Sequence, residues 1–185
     1  MESKTWLNME YLKYILCSFI VLAFSSCEYN LLRFGWTDYS VDQRFEDSRR
    51  YNEKHPAQNL SIDTDEYTFT ATSDYHLHTD SVFLPKFFDY INGSQSIFVA
   101  LNGDLYNSKE EFADFAYSAL TNGIKIPAYY TCGNHDQYFG WNLFYDRFGS
   151  STYSFTVTTP NYQDLYIALE TGSSTLGRGQ YEWLL

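Results

Sequence analysis

Three short clusters of polar residues, Asp74-Tyr75-His76, Gly103-Asp104 and Gly133-Asn134-His135-Asp136, follow one another at intervals of about thirty residues. They supply carboxylates, imidazoles and an amide, the hard oxygen and nitrogen donors that hold divalent metals such as Mn, Fe or Zn. Asp74 and His76 are one residue apart, so in an extended segment both side chains leave on the same side and one ion could take both. Asp104 carries two oxygens, enough to bridge two cations, and Asn134 offers a neutral carbonyl oxygen to the second. The glycines at 103 and 133 let the backbone turn sharply enough to aim these groups inward. Each cluster alone has a bland reading. Asp-x-His is common, Gly-Asp marks many turns, and Asn tolerates the left-handed conformation of a tight turn. Their order and their shared position after strand-forming segments carry the chemistry.

Those segments set the positions. Tyr67, Phe69 and Ala71 alternate with threonines, which predicts a half-buried strand running into Ser73-Asp74. The apolar run 96–101 reads as a buried strand that meets Asn102-Gly103-Asp104 at once, and 126–131 reads as a third that runs into Gly133. Helices fall between them. One covers 82–91, with Pro85 near its start and Asn92-Gly93 closing it. The next opens at Ser108 with Glu111 in the capping-box position, puts Phe112, Phe115, Ala116 and Ala119 on one face, and stops at Asn122-Gly123. Upstream, Ser40-x-x-Gln43 predicts a capped helix to about Asn52, ended by Pro56. Downstream come an aromatic helix over 141–148, two strands over 153–158 and 164–169 around Pro160-Asn161, and a helix from Gln180. This alternation is the α/β plan, whose ligands bind outside the carboxyl edge of the sheet. All three clusters are therefore expected on one edge.

The formal net charge of −11 argues against a nucleic-acid-binding surface, because phosphate backbones attract Lys and Arg. Most of the acidic excess reads as solvated surface, and part as ligands whose charge a metal offsets. The 18 Tyr and 15 Phe are expected to fill the core and line a cleft, with a carbohydrate platform as the other use. At the N-terminus, Lys4 and Lys13 precede an apolar run from Tyr14 to Phe24 and then Ser25-Ser26-Cys27. This is the pattern of a secretory signal, too short for a membrane span of about 20 apolar residues. Ser-Ser-Cys resembles the lipobox of bacterial lipoproteins, with Phe24 in place of the usual Leu, which makes Cys27 the expected lipidation site. An ordinary cleaved signal or an uncleaved anchor are the other readings. The expected division is a signal peptide at 1–26, a tether and N-terminal helix at 27–65, and the main domain at 66–185, held in the cell envelope by lipid on a bacterial membrane. Cys132 is then the one cysteine of the folded body, expected as a buried thiol, and no intrachain disulfide framework is possible.

Together the clusters resemble the calcineurin-like metallophosphoesterase family over about residues 66–185, most specifically in Gly-Asn-His-Asp. The resemblance implies a β-sandwich flanked by helices (αββα), incomplete at the C-terminus, with a centre of two divalent metal ions. By motif, Asp74 and His76 would bind the first metal, Asp104 would bridge, and Asn134 would bind the second. His135 would contact phosphate and protonate the leaving group, with Asp136 orienting its ring. Asn107 stands where many members carry a second Asp, and His78 matches no family ligand. The implied reaction is hydrolysis of a phosphomonoester or phosphodiester by a metal-bridged hydroxide. The family also supplies histidines from its C-terminal half, whereas this chain has only His55, His76, His78 and His135. A truncated form with a C-terminal partner fragment is thus the expectation. The rivals are a non-catalytic surface lipoprotein that binds glycan or a protein partner, and an inactive remnant.

Overall fold

The computed structural model describes residues 37–138 and 140–185. The expected signal segment and Cys27 lie outside the described residues, and no helix among those described is long and apolar enough to cross a membrane. The first element, α1 (Val41–Lys54), starts as its sequence dictates. Gln43 N donates to Ser40 Oγ at 3.2 Å and Ser40 N to Gln43 Oε1 at 2.9 Å, so two backbone donors at the helix start are satisfied reciprocally. The helix closes at His55, ahead of Pro56.

Strands β2 (Thr68–Thr72), β3 (Ser96–Asn102) and β4 (Ala128–Thr131) form a parallel sheet in that spatial order; β1 (Leu60–Ser61) belongs to another sheet. Helix α2 (Leu84–Gly93) links β2 to β3, and α3 (Glu110–Gly123) links β3 to β4. Two successive right-handed crossovers that step in the same direction place both helices on one face of a sheet. On that face Val99 and Leu101 of β3 pack with Ile91 of α2, Ala116 and Leu120 of α3, and Phe144 of α5 (Trp141–Phe148). Ile91, Val99, Leu101 and Leu120 are fully buried. Each contributes about 1.5–3 kcal/mol relative to exposure.

The opposite face of the parallel sheet meets a second one, ordered β1-β5-β6. There β5 (Tyr153–Thr158) and β6 (Gln163–Ala168) form an antiparallel hairpin, and β1 pairs in parallel with β5. Phe98, Tyr129, Phe155 and Tyr166 fill the space between the sheets, with the rings of Tyr129 and Phe155 stacked at 3.6 Å. Helix α4 (Asn134–Gln137) is a single turn, and α6 (Gly177–Leu184) packs on α1 through Phe45 and Trp183.

The chain is thus an α/β protein of two small sheets, but several finer expectations need correction. The αββα arrangement is not completed by the described residues: Leu165 and Ile167, on the outer face of β6, are 62% and 42% exposed. Helix α3 has Lys109 at its N-cap with no side-chain bond, because Ser108 Oγ donates to His135 O instead. Its buried face is Ala113, Ala116 and Leu120, since small residues let the helix lie close to the sheet. Phe112, Phe115 and Ala119 flank that face, half-buried. In β2, Phe69 and Ala71 are exposed and border an open cleft between the sheets.

Candidate metal centre

The three clusters converge on the carboxyl edge of the parallel sheet, where the topology requires them. Pairing of β2 with β3 continues past the strand ends through the clusters themselves. Asp74 N donates to Gly103 O at 3.2 Å, His76 N to Asp104 O at 2.9 Å, and Leu77 N to Leu105 O at 2.8 Å. Leu77, Leu105 and Tyr106 beneath them are fully buried, which anchors both loops in the core. Three of the clusters' residues have left-handed backbones, Asp74 at φ 61°, His76 at φ 44° and Asp104 at φ 53°. Non-glycine residues held there cost about 1–3 kcal/mol each and persist only where the surroundings impose them.

The glycines serve two different needs. Gly103 has φ 77°, and a Cβ on it would lie 2.6 Å from Gly133 Cα. Gly133 has ordinary extended torsions, φ −94° and ψ −177°, so conformational freedom is not its purpose. Its missing side chain lets Asp104 approach, because a Cβ there would sit 2.1 Å from Asp104 Oδ1. Asp104 Oδ1 then accepts from His135 N at 2.9 Å, which fixes the carboxylate against the start of α4.

His76, Asp104 and His135 each offer a ligand atom, and these atoms lie within 4.8 Å of one another. Two imidazoles and a carboxylate, with His76 and Asp104 held on left-handed backbone and His135 in the first turn of α4, suit a divalent transition metal. Asp74 stands beside this group, its Oδ1 4.0 Å from His76 Nε2, with a side chain 67% exposed. Asn134 lies across the edge and lines the cleft, its Nδ2 donating to Tyr138 Oη at 3.0 Å. The expected quartet of Asp74, His76, Asp104 and Asn134 is therefore gathered at one rim, and His135 joins His76 and Asp104 there with its ligand atom within 4.8 Å of theirs.

Two assignments change. Asp136 does not hold the His135 ring: its Oδ1 accepts from Tyr106 N at 3.0 Å and its Oδ2 from Gly133 N at 2.8 Å. It is a buried staple between the second and third clusters. Burial pushes its carboxyl up to about 7, against the opposing pull of the Gly133 and Tyr106 N–H groups. The ring is held by Asn107, whose Oδ1 lies 2.9 Å from His135 Nδ1 and 3.2 Å from His76 Nδ1. An amide oxygen only accepts, so both rings carry their proton on Nδ1 and present Nε2 lone pairs outward. Asn107 Nδ2 faces His78 Nε2 at 3.4 Å, and His78 packs edge-on against Phe112. The signal for Asn107 was its place three residues after Asp104, where a side chain from the same loop returns to the same site.

The loop after β6 closes the rim. Glu170 is buried and paired with Arg44 of α1, Nε to Oε2 at 3.0 Å, and Gly172 N donates to its Oε1 at 2.8 Å. Burial raises the Glu170 carboxyl, and the Arg44 guanidinium opposes this. Gly172 rides directly over the third cluster, where a Cβ would come within 2.9 Å of Gly133 C. Cys132 is buried beneath, its thiol pushed well above the ordinary range by burial, as suits an inert core cysteine.

An α/β domain with imidazoles and a carboxylate gathered at a sheet edge is the frame of a metal-assisted hydrolase. Residues 59–178 match the family described as a predicted 3'-5' exonuclease related to the exonuclease domain of PolB. The chain belongs to this family. No curated protein and no solved structure matches it. The match overturns the resemblance to calcineurin-like metallophosphoesterases: clusters of two to four residues specify a kind of site, and sites of one kind recur on different families. It also overturns the expectation of no nucleic-acid surface, since an exonuclease acts on nucleic acid. Net charge averages over the whole chain and does not report on one edge, where a cation, if held, would offset phosphate charge.

Proposed function

We propose that this protein is a metal-dependent phosphodiesterase that releases nucleotides from the end of a nucleic-acid strand. The observation that carries the reading is the approach of His76, Asp104 and His135 ligand atoms to within 4.8 Å at the rim of the segment matched to the exonuclease family. His76 and Asp104 hold a divalent ion, with Asp74 and Asn134 flanking them. When bound, that ion offsets phosphate charge and acidifies water, the chemistry phosphoryl hydrolysis requires. His135 faces the same space and, once a second proton on Nε2 makes it an imidazolium, gives that proton to the leaving oxygen, while Asn107 keeps the Nδ1 proton in place. Asp104 fixes the third cluster through His135 N, so one side chain both presents a ligand and sets the position of the proton donor.

The test uses a 5'-labelled single-stranded oligonucleotide with Mn²⁺ and the full chain. Shortening from the 3' end, lost on chelation and restored by Mn²⁺, is expected. Asp104→Asn should abolish turnover with the circular dichroism spectrum unchanged. No shortening by the folded wild-type chain overturns the activity, and retained turnover in Asp104→Asn overturns the site.

A further inference from the structure

Asn107 reaches both imidazoles of the centre, and an amide has two ways of doing so. His76 and His135 meet edge-on, ring centroids 4.6 Å apart and planes at 85°, and both turn Nδ1 toward the same end of the Asn107 side chain. With Oδ1 at that end, each ring donates its Nδ1 proton and keeps a bare Nε2 for a metal. Turned end for end, the amide would place Nδ2 there and give one proton to each Nδ1. Both rings would then carry their own proton on Nε2, where it blocks an ion. Either arrangement satisfies the hydrogen bonds between the amide and the two rings, so those three residues do not choose between them. The choice falls to whatever stands at the other end of the amide.

His78 stands there, its Nε2 3.4 Å from Asn107 Nδ2. Its place is built into the fold. Leu77 and Tyr106 pair in a parallel bridge, so the residues that follow them, His78 and Asn107, are neighbours. His78 N donates to Ser81 Oγ and Ser81 N to His78 O, each at 3.0 Å, which closes the turn behind the ring. The ring itself packs edge-on against Phe112, centroids 4.6 Å apart. A neutral imidazole with its proton on Nδ1 offers Nε2 as an acceptor. An acceptor at this point draws Nδ2 toward it and leaves Oδ1 to the other two rings.

We propose that His78 is a positioning residue: by accepting from the Asn107 amide it fixes which way that amide faces. His76 thereby keeps a bare Nε2 for a metal, and His135 keeps its fixed proton on Nδ1. The inference rests on the function proposed above for what the centre does, but the protonation of the rings can be read without any turnover. His78 acts through Asn107 alone, so its chemistry as an acceptor matters and its shape does not.

The test reads the ring protons of the metal-free full chain. Long-range proton–nitrogen NMR correlations distinguish a protonated ring nitrogen from a bare one, in weakly alkaline buffer where free imidazole is neutral. In the wild type, His76 and His135 should both carry the proton on Nδ1. His78→Phe keeps a ring against Phe112 and removes the acceptor, so both histidines should populate the two tautomers about equally. Mn²⁺ affinity by calorimetry should then fall about twofold, as the competent fraction halves. His78→Glu, an acceptor only, should restore the wild-type tautomers, a rescue that a packing role would not give. His78→Lys, a donor only, should draw Oδ1 to itself and move both ring protons to Nε2. The role of His78 is overturned by wild-type rings protonated on Nε2, or by wild-type tautomers retained in both His78→Phe and His78→Lys. Failure of a folded His78→Glu chain to restore them overturns it equally. If the tautomers follow this series but the wild type shortens no oligonucleotide, the exonuclease activity falls and the role of His78 stands. If the oligonucleotide is shortened while the tautomers ignore residue 78, the role falls and the activity stands.

Discussion

Gly133→Ala is the substitution on which the geometry of the centre speaks most directly. The added methyl would lie 2.1 Å from Asp104 Oδ1 and 2.3 Å from Asp104 N. Carbon and oxygen need more than 3 Å, so either loop must move by about 1 Å. Overpacking of this kind costs about 1–3 kcal/mol. Displacing Asp104 also breaks its bond to His135 N, worth about 1.5–3 kcal/mol for a charged acceptor, although relaxation recovers part of that. A total near 2–4 kcal/mol follows, or a fall in melting temperature of about 4–16 °C for a chain this size. Gly93→Ala is the control. Gly93 ends α2 with nothing within 4 Å of its Cβ position and no positive φ, so alanine there should stabilise by about 0.4–1 kcal/mol. Thermal unfolding of both variants, with and without Mn²⁺, decides the matter. If Gly133→Ala melts within about 2 °C of Gly93→Ala, the close approach of Asp104 to this turn is refuted.

Three more outcomes are expected. Arg44→Met strands Glu170 as a buried unpaired carboxylate and should cost about 3–5 kcal/mol in urea unfolding, much of it recovered by adding Glu170→Gln. Asn107→Ala frees both imidazoles and should weaken Mn²⁺ binding about 10- to 100-fold by calorimetry, with little change in the far-ultraviolet spectrum. Asp136 has a folded-state pKa of about 7, above the ordinary 3.8, so the folded chain retains a proton that the unfolded chain gives up. Its contribution to stability is therefore lost as pH rises from about 4 through 7; urea midpoints of chelated protein should fall across that window, and less so in Asp136→Asn.

Much of this architecture was legible because local signals agreed with the final packing. The capping box at Ser40 and Gln43 forms as written, and the three strand ends lie on one edge because parallel β-α-β connections leave them no other arrangement. What failed were decisions made by distant partners. Ser108 has the right chemistry for an N-cap, yet His135 O claims its hydroxyl from another loop. Asp136 follows a histidine in sequence, but the backbone N–H groups of Tyr106 and Gly133 surround its carboxylate. Phe69 alternates as an inward residue should, and only the separation of the two sheets decides that its ring faces open space. The membership of the family was the least legible of all, because it is carried by the whole of 59–178 and not by the few residues with conspicuous chemistry.

The ladder between β2 and β3 that runs on through residues 74–77 and 103–105 gives the rim a different character from an ordinary loop site. Its main-chain amides are already engaged, so ordering them cannot be part of what a metal must do on arrival. Loading should then proceed with little loss of backbone freedom, and hydrogen exchange at His76 and Leu77 should be slow before any ion is added. A centre of this kind is assembled when the chain folds and only filled afterwards.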